Sequence, residues 1–317
     1  MNEELNKNEI EQYFIQLQDT ICKGLETADG KGLFKEEQWQ RAEGGGGRTR
    51  VITDGAVIEK GGVNFSAVWG ACPEFLKKET GIPATERAGF FASGVSIVIH
   101  PKNPHVPIIH MNVRYFEAVA DDVSTGKSRL FQSWFGGGID LTPHYINQED
   151  AIWFHATLKK ICDKHSTSYY SEFSKWADEY FYLPHRSETR GIGGIFFDKL
   201  TAGKDKTMQQ YFEFVKEVGG SFLTLYLPII EKNRNKEYTD TERRWQLLRR
   251  GRYVEFNLVY DRGTKFGLLT NGRTESILIS LPPYACWDYN VTPETDGEEE
   301  KTLKLLRKGI NWAYINP

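Results

Sequence analysis

The chain has little of what would point to a disulfide scaffold, a membrane span or a strongly charged surface. Its four cysteines stand far apart among 317 residues with no C-x-x-C pair, which argues against a disulfide framework and a structural zinc site. No apolar run approaches the roughly 18–20 residues that span a bilayer. The formal charge is only −3, so we expect no general affinity for nucleic acid or acidic membranes.

Targeting signals and several common motifs are also missing. The first residues, MNEELNKNEIEQ, have neither the apolar core of a secretory signal nor the composition of a transit peptide, which predicts a cytoplasmic protein with reduced thiols. There is no G-x-S-x-G or H-E-x-x-H, and GIGG at 191–194 lacks the full dinucleotide fingerprint. The glycines at 44–47 predict a flexible loop flanked by arginines. An exposed loop and an anion-binding role are equally open there, but a P-loop is not indicated.

What the chain does have is concentrated in residues 94–145. Successive side chains of a β-strand point to opposite faces. On this basis, residues 106–116 divide into one apolar face and one face with a row of polar side chains. One face would be core-like, with Pro107, Ile109, Met111, Val113 and Tyr115. The other would carry Val106, Ile108, His110, Asn112, Arg114 and Phe116.

The preceding strand alternates in the same way, and the short proline-rich connection at 101–107 predicts that the two strands pair as a hairpin. The pairing would place on one sheet face Ser96, His100, His110, Asn112 and Arg114. A pocket for an anionic, hydrogen-bonding ligand could use such a row. The alternative is a solvated face of an antiparallel sheet, which is common.

Two glycine-containing segments leave similar alternatives. Gly136, Gly137 and Gly138 precede Asp140 and indicate either close approach of a backbone or ligand or an ordinary turn. The sequence Asn271-Gly272-Arg273 could hold a carboxylate through a guanidinium and backbone N–H groups, or it could be a hairpin turn with a solvated arginine.

Five of the seven histidines fall between His100 and His155, which raises a metal site as one hypothesis. The candidate ligands are His100, His110, His155 and His185. Their spacing matches no compact ligand template, and histidine serves equally well as an acid–base group or a hydrogen-bond donor.

Strand patterns on both sides of a helical middle predict one α+β domain over residues 1–317, with a large, mostly antiparallel sheet and helices on both faces. Residues 1–38 would form an N-terminal helical region, with an amphipathic helix at 3–26. Further predicted strands lie near 50–58 and 63–69, and sheet signals return at 253–260 and 274–281. Further helices are predicted near 147–166, 168–181, 205–233, 239–250 and 299–314.

Long blocks of the sequence resemble oxygen-dependent coproporphyrinogen III oxidase. They are WQRAEGGGGRTRVITDGAVIEKGGVNFS, GVSIVIHPKNPHVPIIHMNVRYF, WFGGGIDLTPHY, DEYFYLPHRSETRGIGGIFFD and RRGRYVEFNLVYDRGTKFGLLTNGRTESILISLPP. The resemblance implies an enzyme of porphyrin and haem biosynthesis that oxidatively decarboxylates two propionates of coproporphyrinogen III to vinyl groups. Molecular oxygen would be the acceptor, and the products would be protoporphyrinogen IX, CO2 and H2O2. No organic cofactor is implied, and a divalent metal cation is left open.

The resemblance also assigns roles to residues. It implies substrate binding by Ser96, Asn112, Val113, Arg114, Asn271, Gly272 and Arg273, and catalytic roles for His110 (as proton donor), Asp140 and Asp261. His100, His110, His155 and His185 would be the ligands of any metal. A homodimer is implied through residues 253–288. A non-catalytic tetrapyrrole-binding protein of the same fold is the alternative, and a metal-dependent hydrolase is a third possibility that lacks compact ligand spacing.

Overall fold

An antiparallel sheet forms the centre of the computed structural model, which describes residues 5–121, 128–269 and 272–315. Seven strands pair in the order β1-β2-β3-β4-β5-β6-β9, and β7 pairs with β8 separately. The strands are β1 (Lys35–Gln40), β2 (Gly45–Thr53), β3 (Ile58–Ala71), β4 (Ala88–Pro101), β5 (Ile108–Asp121), β6 (Ser128–Thr142), β7 (Tyr182–Leu183), β8 (Glu188–Thr189) and β9 (Gly193–Leu200).

Helices occupy both faces of this sheet, so the predicted fold class is confirmed. They are α1 (Lys7–Asp29), α2 (Glu74–Thr80), α3 (Gln148–Asp163), α4 (Tyr169–Tyr180), α5 (Met208–Gly220), α6 (Phe222–Asn233), α7 (Asp240–Val259), α8 (Arg262–Leu269), α9 (Thr274–Leu278) and α10 (Glu298–Leu305), followed by a 3₁₀ helix at Trp312–Tyr314. In the part of the chain that the structure describes, no helix has the length and apolarity needed to cross a membrane.

The main hydrophobic core lies on the sheet face that the sequence predicted. Ile109, Met111 and Val113 are fully buried there, and they pack in one cluster with apolar residues of α1, α3, α4, α5 and α6. The amphipathic pattern of α1 is confirmed, because its stripe from Ile10 to Leu25 is buried in the same cluster. Burying each large aliphatic side chain contributes about 1.5–3 kcal/mol, so this face anchors the sheet.

Apolar side chains cover the opposite face at its two ends, and also over β9, where Phe181 and Phe256 pack on Phe196. At one end, Leu76 of α2 and the nearby Ile82 pack against Phe116 and Ala118. At the other end, Tyr253 of α7 packs against Val98 and Ile108. The polar part of the face lies between these two clusters.

Two predicted strands are wrong. Residues 253–259 form the C-terminal end of helix α7, and Tyr260 caps it. Most of residues 274–281 lie in α9 or directly after it. The aromatic and β-branched residues there suit a strand by composition, but Leu248, Tyr253 and Phe256 are buried, which is close to helical spacing. Tertiary packing on the sheet therefore outweighed local propensity.

Smaller differences have local causes. The helix predicted at 205–233 is two helices, which meet at Ser221 just after Gly219 and Gly220, and glycine weakens a helix interior. The predicted loop at 44–47 lies mostly in β2. A Cβ at Gly47 would come within 2.5 Å of the Trp39 ring, so glycine there allows β1 and β2 to pack closely.

Candidate active site

A row of polar side chains crosses the sheet from β1 to β5. Antiparallel pairing makes successive direct neighbours of Glu37, Thr49, Asn64, Ser96 and Asn112. Directly paired residues point to the same face, so the hairpin brings the predicted substrate-binding residues Ser96 and Asn112 side by side. His110 and Arg114 stand two residues to either side of Asn112 on the same face, as the alternation predicted.

His110 lies directly opposite Asp140 of β6. Its Nδ1 is 2.8 Å from Oδ1 of Asp140, and the other oxygen of that carboxylate accepts a 2.7 Å hydrogen bond from Nη2 of Arg190. Because a carboxylate only accepts, Nδ1 of His110 is the donor. In the neutral ring, Nε2 of His110 is then an acceptor, which is the arrangement that a general base needs.

The Asp140–Arg190 pair is buried, with exposures of 1% and 3%. Burial raises the pKa of Asp140, but the charge of Arg190 and the hydrogen bond from His110 lower that pKa by a larger amount. The net shift is therefore downward. The guanidinium of Arg190 also donates to Asn257 at 3.0 Å. Its central carbon lies 4.3 to 4.7 Å from the centroids of three aromatic rings, those of Phe181, Tyr253 and Phe256. Asp140 is therefore held as a carboxylate.

The glycines at 136–138 lie within β6 and do not form a turn. Gly136 is paired with Arg114 and Gly138 with Asn112, so the polar face has a strip without side chains beside β5. A Cβ at Gly136 would lie 3.0 Å from Nη2 of Arg114 and 2.6 Å from Oδ1 of Asp198. The missing side chain thus lets Arg114 reach across β6 to β9, which is the close approach expected of glycine in a strand.

Arg114 lies at the border between the polar row and the α2 end of the sheet. It donates to Asn112 at 2.7 Å and to Asp198 at 2.9 Å, and its guanidinium carbon lies 5.7 Å from the Trp134 ring. Its side chain remains 31% exposed. A planar, partly exposed guanidinium suits a ligand carboxylate, because its donors pair with both oxygens at once.

The third predicted catalytic residue, Asp261, lies on the same side of the sheet. Its Oδ1 accepts a 2.9 Å hydrogen bond from the Tyr180 hydroxyl, and its Oδ2 accepts one from the backbone of Thr264 at 2.7 Å. The Tyr180 ring stacks on Phe196 at 4.1 Å, and Phe196 is paired with Gly138. Asp261 therefore stands at the edge of the glycine strip.

The four histidines proposed as metal ligands do not converge. His100 contacts the carbonyl of Ser280, His155 contacts Tyr170 and Ile192, and His185 contacts Tyr260 and Glu255. Within residues 5–121, 128–269 and 272–315, no group of three or more His, Cys, Asp or Glu side chains could hold a metal ion. This ligand set therefore does not fit a single cation.

The predicted glycine turn lies apart from Arg114. Arg273 forms an ion pair with Glu37 on β1, and Glu37 is separated from Asn112 by four strand spacings, about 19 Å at about 4.8 Å each. Gly272 donates to the carbonyl of Gly267, and Asn271 lies outside the described residues. The side chain of Val113 is buried in the core, so only its backbone could reach a ligand on the polar face.

Sequence reasoning missed Arg190, Asp198 and Tyr180. Arg190 precedes the GIGG segment at 191–194, which by sequence matches only part of a dinucleotide-binding motif. A Cβ at Gly191 would lie 2.1 Å from the carbonyl oxygen of Leu141, so this run lets the segment lie directly against β6. An arginine beside glycines that permit close backbone contact was the available signal.

Comparison with known proteins gives consistent matches over nearly the whole chain. The family model described as Coproporphyrinogen III oxidase matches residues 9–312. The chain is 51% identical over 306 residues to the oxygen-dependent coproporphyrinogen-III oxidase, chloroplastic, of Glycine max. The aligned region covers 95% of this chain and 78% of that protein. It is 48% identical over 320 residues to the oxygen-dependent coproporphyrinogen-III oxidase of Drosophila melanogaster, covering 97% of this chain and 78% of that protein.

Proposed function

The chain belongs to the coproporphyrinogen III oxidase family, and on this premise we propose that it oxidatively decarboxylates two propionates of coproporphyrinogen III to vinyl groups with O2. The products are protoporphyrinogen IX, CO2 and H2O2, a step of haem and porphyrin biosynthesis. The observation that carries the proposal is identity of about half over 95% or more of the chain to two such oxidases.

The reaction has a definite need for protons. For each propionate, one C–H bond and the bond to the carboxylate break, CO2 leaves and a C=C bond forms. The hydrogen with its electron pair, together with one proton, converts O2 to H2O2. A porphyrinogen becomes electron-rich enough to reduce O2 once a pyrrole N–H is deprotonated. The site must therefore exchange protons with the macrocycle and deliver one proton for each turn.

His110 and Asp140 are suited to this exchange. The Asp140 carboxylate fixes the tautomer of His110 through Nδ1, and Nε2 is then the nitrogen available to take or return a proton. Arg190 keeps Asp140 ionised. Asp261, which is fixed by Tyr180, is the second carboxylate at the rim of the strip.

Substrate binding would use the glycine strip and the polar row. We propose that the macrocycle lies over Gly136 and Gly138, with one propionate carboxylate on Arg114 and hydrogen bonds to Ser96 and Asn112. Arg273 would bind a second propionate at the far end of the row. Both arginines already have acidic partners, Asp198 and Glu37, so a substrate carboxylate would share or replace them.

The proposed reaction is tested by incubating the purified protein with coproporphyrinogen III under air and under argon. We expect loss of substrate, a vinyl-bearing product and release of CO2 and H2O2 under air alone. Arg114→Ala is the matched control, because it should keep the fold while losing the proposed propionate ligand, and its turnover should be lower than that of the wild type. A protein that binds the porphyrinogen but leaves it unchanged in air would establish the alternative, a non-catalytic tetrapyrrole-binding protein.

We propose that the protein forms a homodimer through residues 253–288. The strand predicted at 274–281 is wrong, but this region exposes large apolar side chains, which favour burial against a partner. They are Leu258, Val259, Leu268, Leu269, Tyr284 and Trp287. Light scattering should give a dimer at micromolar concentration, and Leu269→Glu, which places a charge on the most exposed of them, should shift the mass towards the monomer. A wild-type monomer would refute the proposal.

We also propose that residues 1–317 form one domain, with the N-terminal helical region 1–38 as part of it, and that the protein is cytoplasmic. The first proposal is supported by the shared core of α1 and the sheet, and the second by four unpaired cysteines, three of them buried. A single calorimetric transition and cell fractionation are the respective tests. Two separate transitions, or recovery in an organelle, would contradict them.

A further inference from the structure

His155 lies in the core, on the sheet face opposite the candidate active site. Its Nε2 is 2.9 Å from the carbonyl oxygen of Ile192, and its Nδ1 is 2.9 Å from the hydroxyl of Tyr170. A carbonyl can only accept, so Nε2 carries the proton and Nδ1 accepts from Tyr170. Burial lowers the pKa of His155 to about 4, in agreement with a neutral ring. Both ring nitrogens are thus engaged within the protein.

Ile192 belongs to the segment that carries Arg190. The N–H of Ile192 donates to the carbonyl of Leu141 at 3.0 Å, next to Asp140 on β6. A Cβ at Gly194 would lie 2.0 Å from the carbonyl oxygen of Ile139, on the other side of Asp140. The segment from Arg190 to Gly194 therefore runs in direct backbone contact with β6. The hydrogen bond from His155 fixes the carbonyl of Ile192, at the middle of this segment.

We propose that His155 is a positioning residue for the oxidation: through the carbonyl of Ile192 it fixes the segment that delivers Arg190 to Asp140. The inference rests on the proposed function, and it replaces the role of metal ligand that the family resemblance implied for His155. Tyr170 completes the arrangement, because its hydroxyl donates to Nδ1 of His155 and so holds the ring on the side away from Ile192.

Three substitutions separate the two ring nitrogens. His155→Gln extends an amide nitrogen to about the position of Nε2 and can still donate to Ile192. His155→Asn reaches only the position of Nδ1, and His155→Leu can neither donate to Ile192 nor accept from Tyr170. A small misplacement of a catalytic group costs about 10²-fold in rate. We therefore expect His155→Asn and His155→Leu to lower kcat by about that factor with little change in KM, and His155→Gln to recover most of the loss.

Leu158→Ala is the matched control, because Leu158 is buried in the same helix and the same core cluster. It should lower the melting temperature while leaving kcat close to that of the wild type. Arg190→Met supplies a coupling test. If His155 acts through Arg190, adding His155→Leu to Arg190→Met should lower kcat little further. Independent, multiplying effects on kcat would overturn the proposal.

Hydrogen exchange gives a readout that does not need turnover. Amides 189–197 should exchange faster in His155→Leu than in wild type or Leu158→Ala, whether or not the protein oxidises coproporphyrinogen III. This separates failure of the inference from failure of the proposed function. Unchanged exchange there would overturn the inference, as would equal kcat in the Gln and Asn variants. The Gln and Asn variants serve the same comparison if His155→Leu does not fold.

Discussion

Replacing Arg190 with methionine removes the buried cation beside Asp140 and keeps much of the side-chain volume. Arg190 is 3% exposed and Asp140 is 1% exposed, so water cannot take over the role of the guanidinium. Methionine would retain part of the packing against Phe181, Tyr253 and Phe256. It would leave the carboxylate with only His110, and it would remove the donor to Asn257.

The size of the effect follows from burial. Breaking a buried ion pair by removing one partner costs about 3–5 kcal/mol, and we expect Arg190→Met to lose about that much stability at pH 8. The loss should shrink as the pH falls. Without Arg190, we expect burial to outweigh the remaining hydrogen bond from His110 and to raise the pKa of Asp140 above its unfolded value. A group shifted in that direction contributes stability only at lower pH. In the wild type the pKa is lowered, so the two pH dependences have opposite signs.

Urea unfolding at pH 5 and pH 8 measures this difference. A second variant, Asp140→Asn with Arg190→Met, removes both charges and should be more stable than Arg190→Met alone, because no unpaired buried charge remains. Turnover should fall strongly in both, since His110 loses the carboxylate arrangement that fixes its tautomer. A loss below about 1 kcal/mol, or a double variant less stable than Arg190→Met, would refute the reasoning.

Four further outcomes are expected. Arg114→Ala should lose about 2–5 kcal/mol of substrate or transition-state binding with the fold retained, and near-normal turnover would contradict its role as the propionate ligand. His110→Ala should lower kcat about 10²–10⁴-fold and change KM far less, as steady-state assays will show. Enzyme treated with a strong chelator should retain oxygen-dependent turnover, because the four candidate histidines do not form one ligand set; full loss restored by a divalent ion would contradict this. Burial raises the pKa of Asp29, but hydrogen bonds from the backbone N–H groups of Ile58, Gly32 and neighbouring residues outweigh burial and lower that pKa. Wild-type stability should therefore fall as the pH drops below about 4. In urea unfolding, Asp29→Asn should be less stable than wild type at pH 7, and its stability should change less between neutral and acid pH.

Local sequence was sufficient to determine which residues share a face of the β4–β5 hairpin. Strand periodicity places Ser96, Asn112 and Arg114 on one side and buries Met111 on the other. Sequence patterns also predicted the amphipathic helix α1 and the α+β fold class correctly. In each case the signal lies in neighbouring residues, because side-chain direction along a strand or helix follows from backbone geometry alone.

Only the tertiary structure determines that Asp140 pairs with Arg190 and that the candidate histidines lie at separate places in the fold. Arg190 is 50 residues away from Asp140 in the chain, and no periodicity connects them; the pair forms because β9 lies beside β6 and glycines let the backbones touch. His110 and His155 both belong to the histidine-rich stretch, yet they lie on opposite faces of the sheet. Residues 253–260 became helix because packing on the sheet outweighed a strand-like composition. Each outcome depends on which surfaces meet, and a local sequence does not specify which distant surface will bury it.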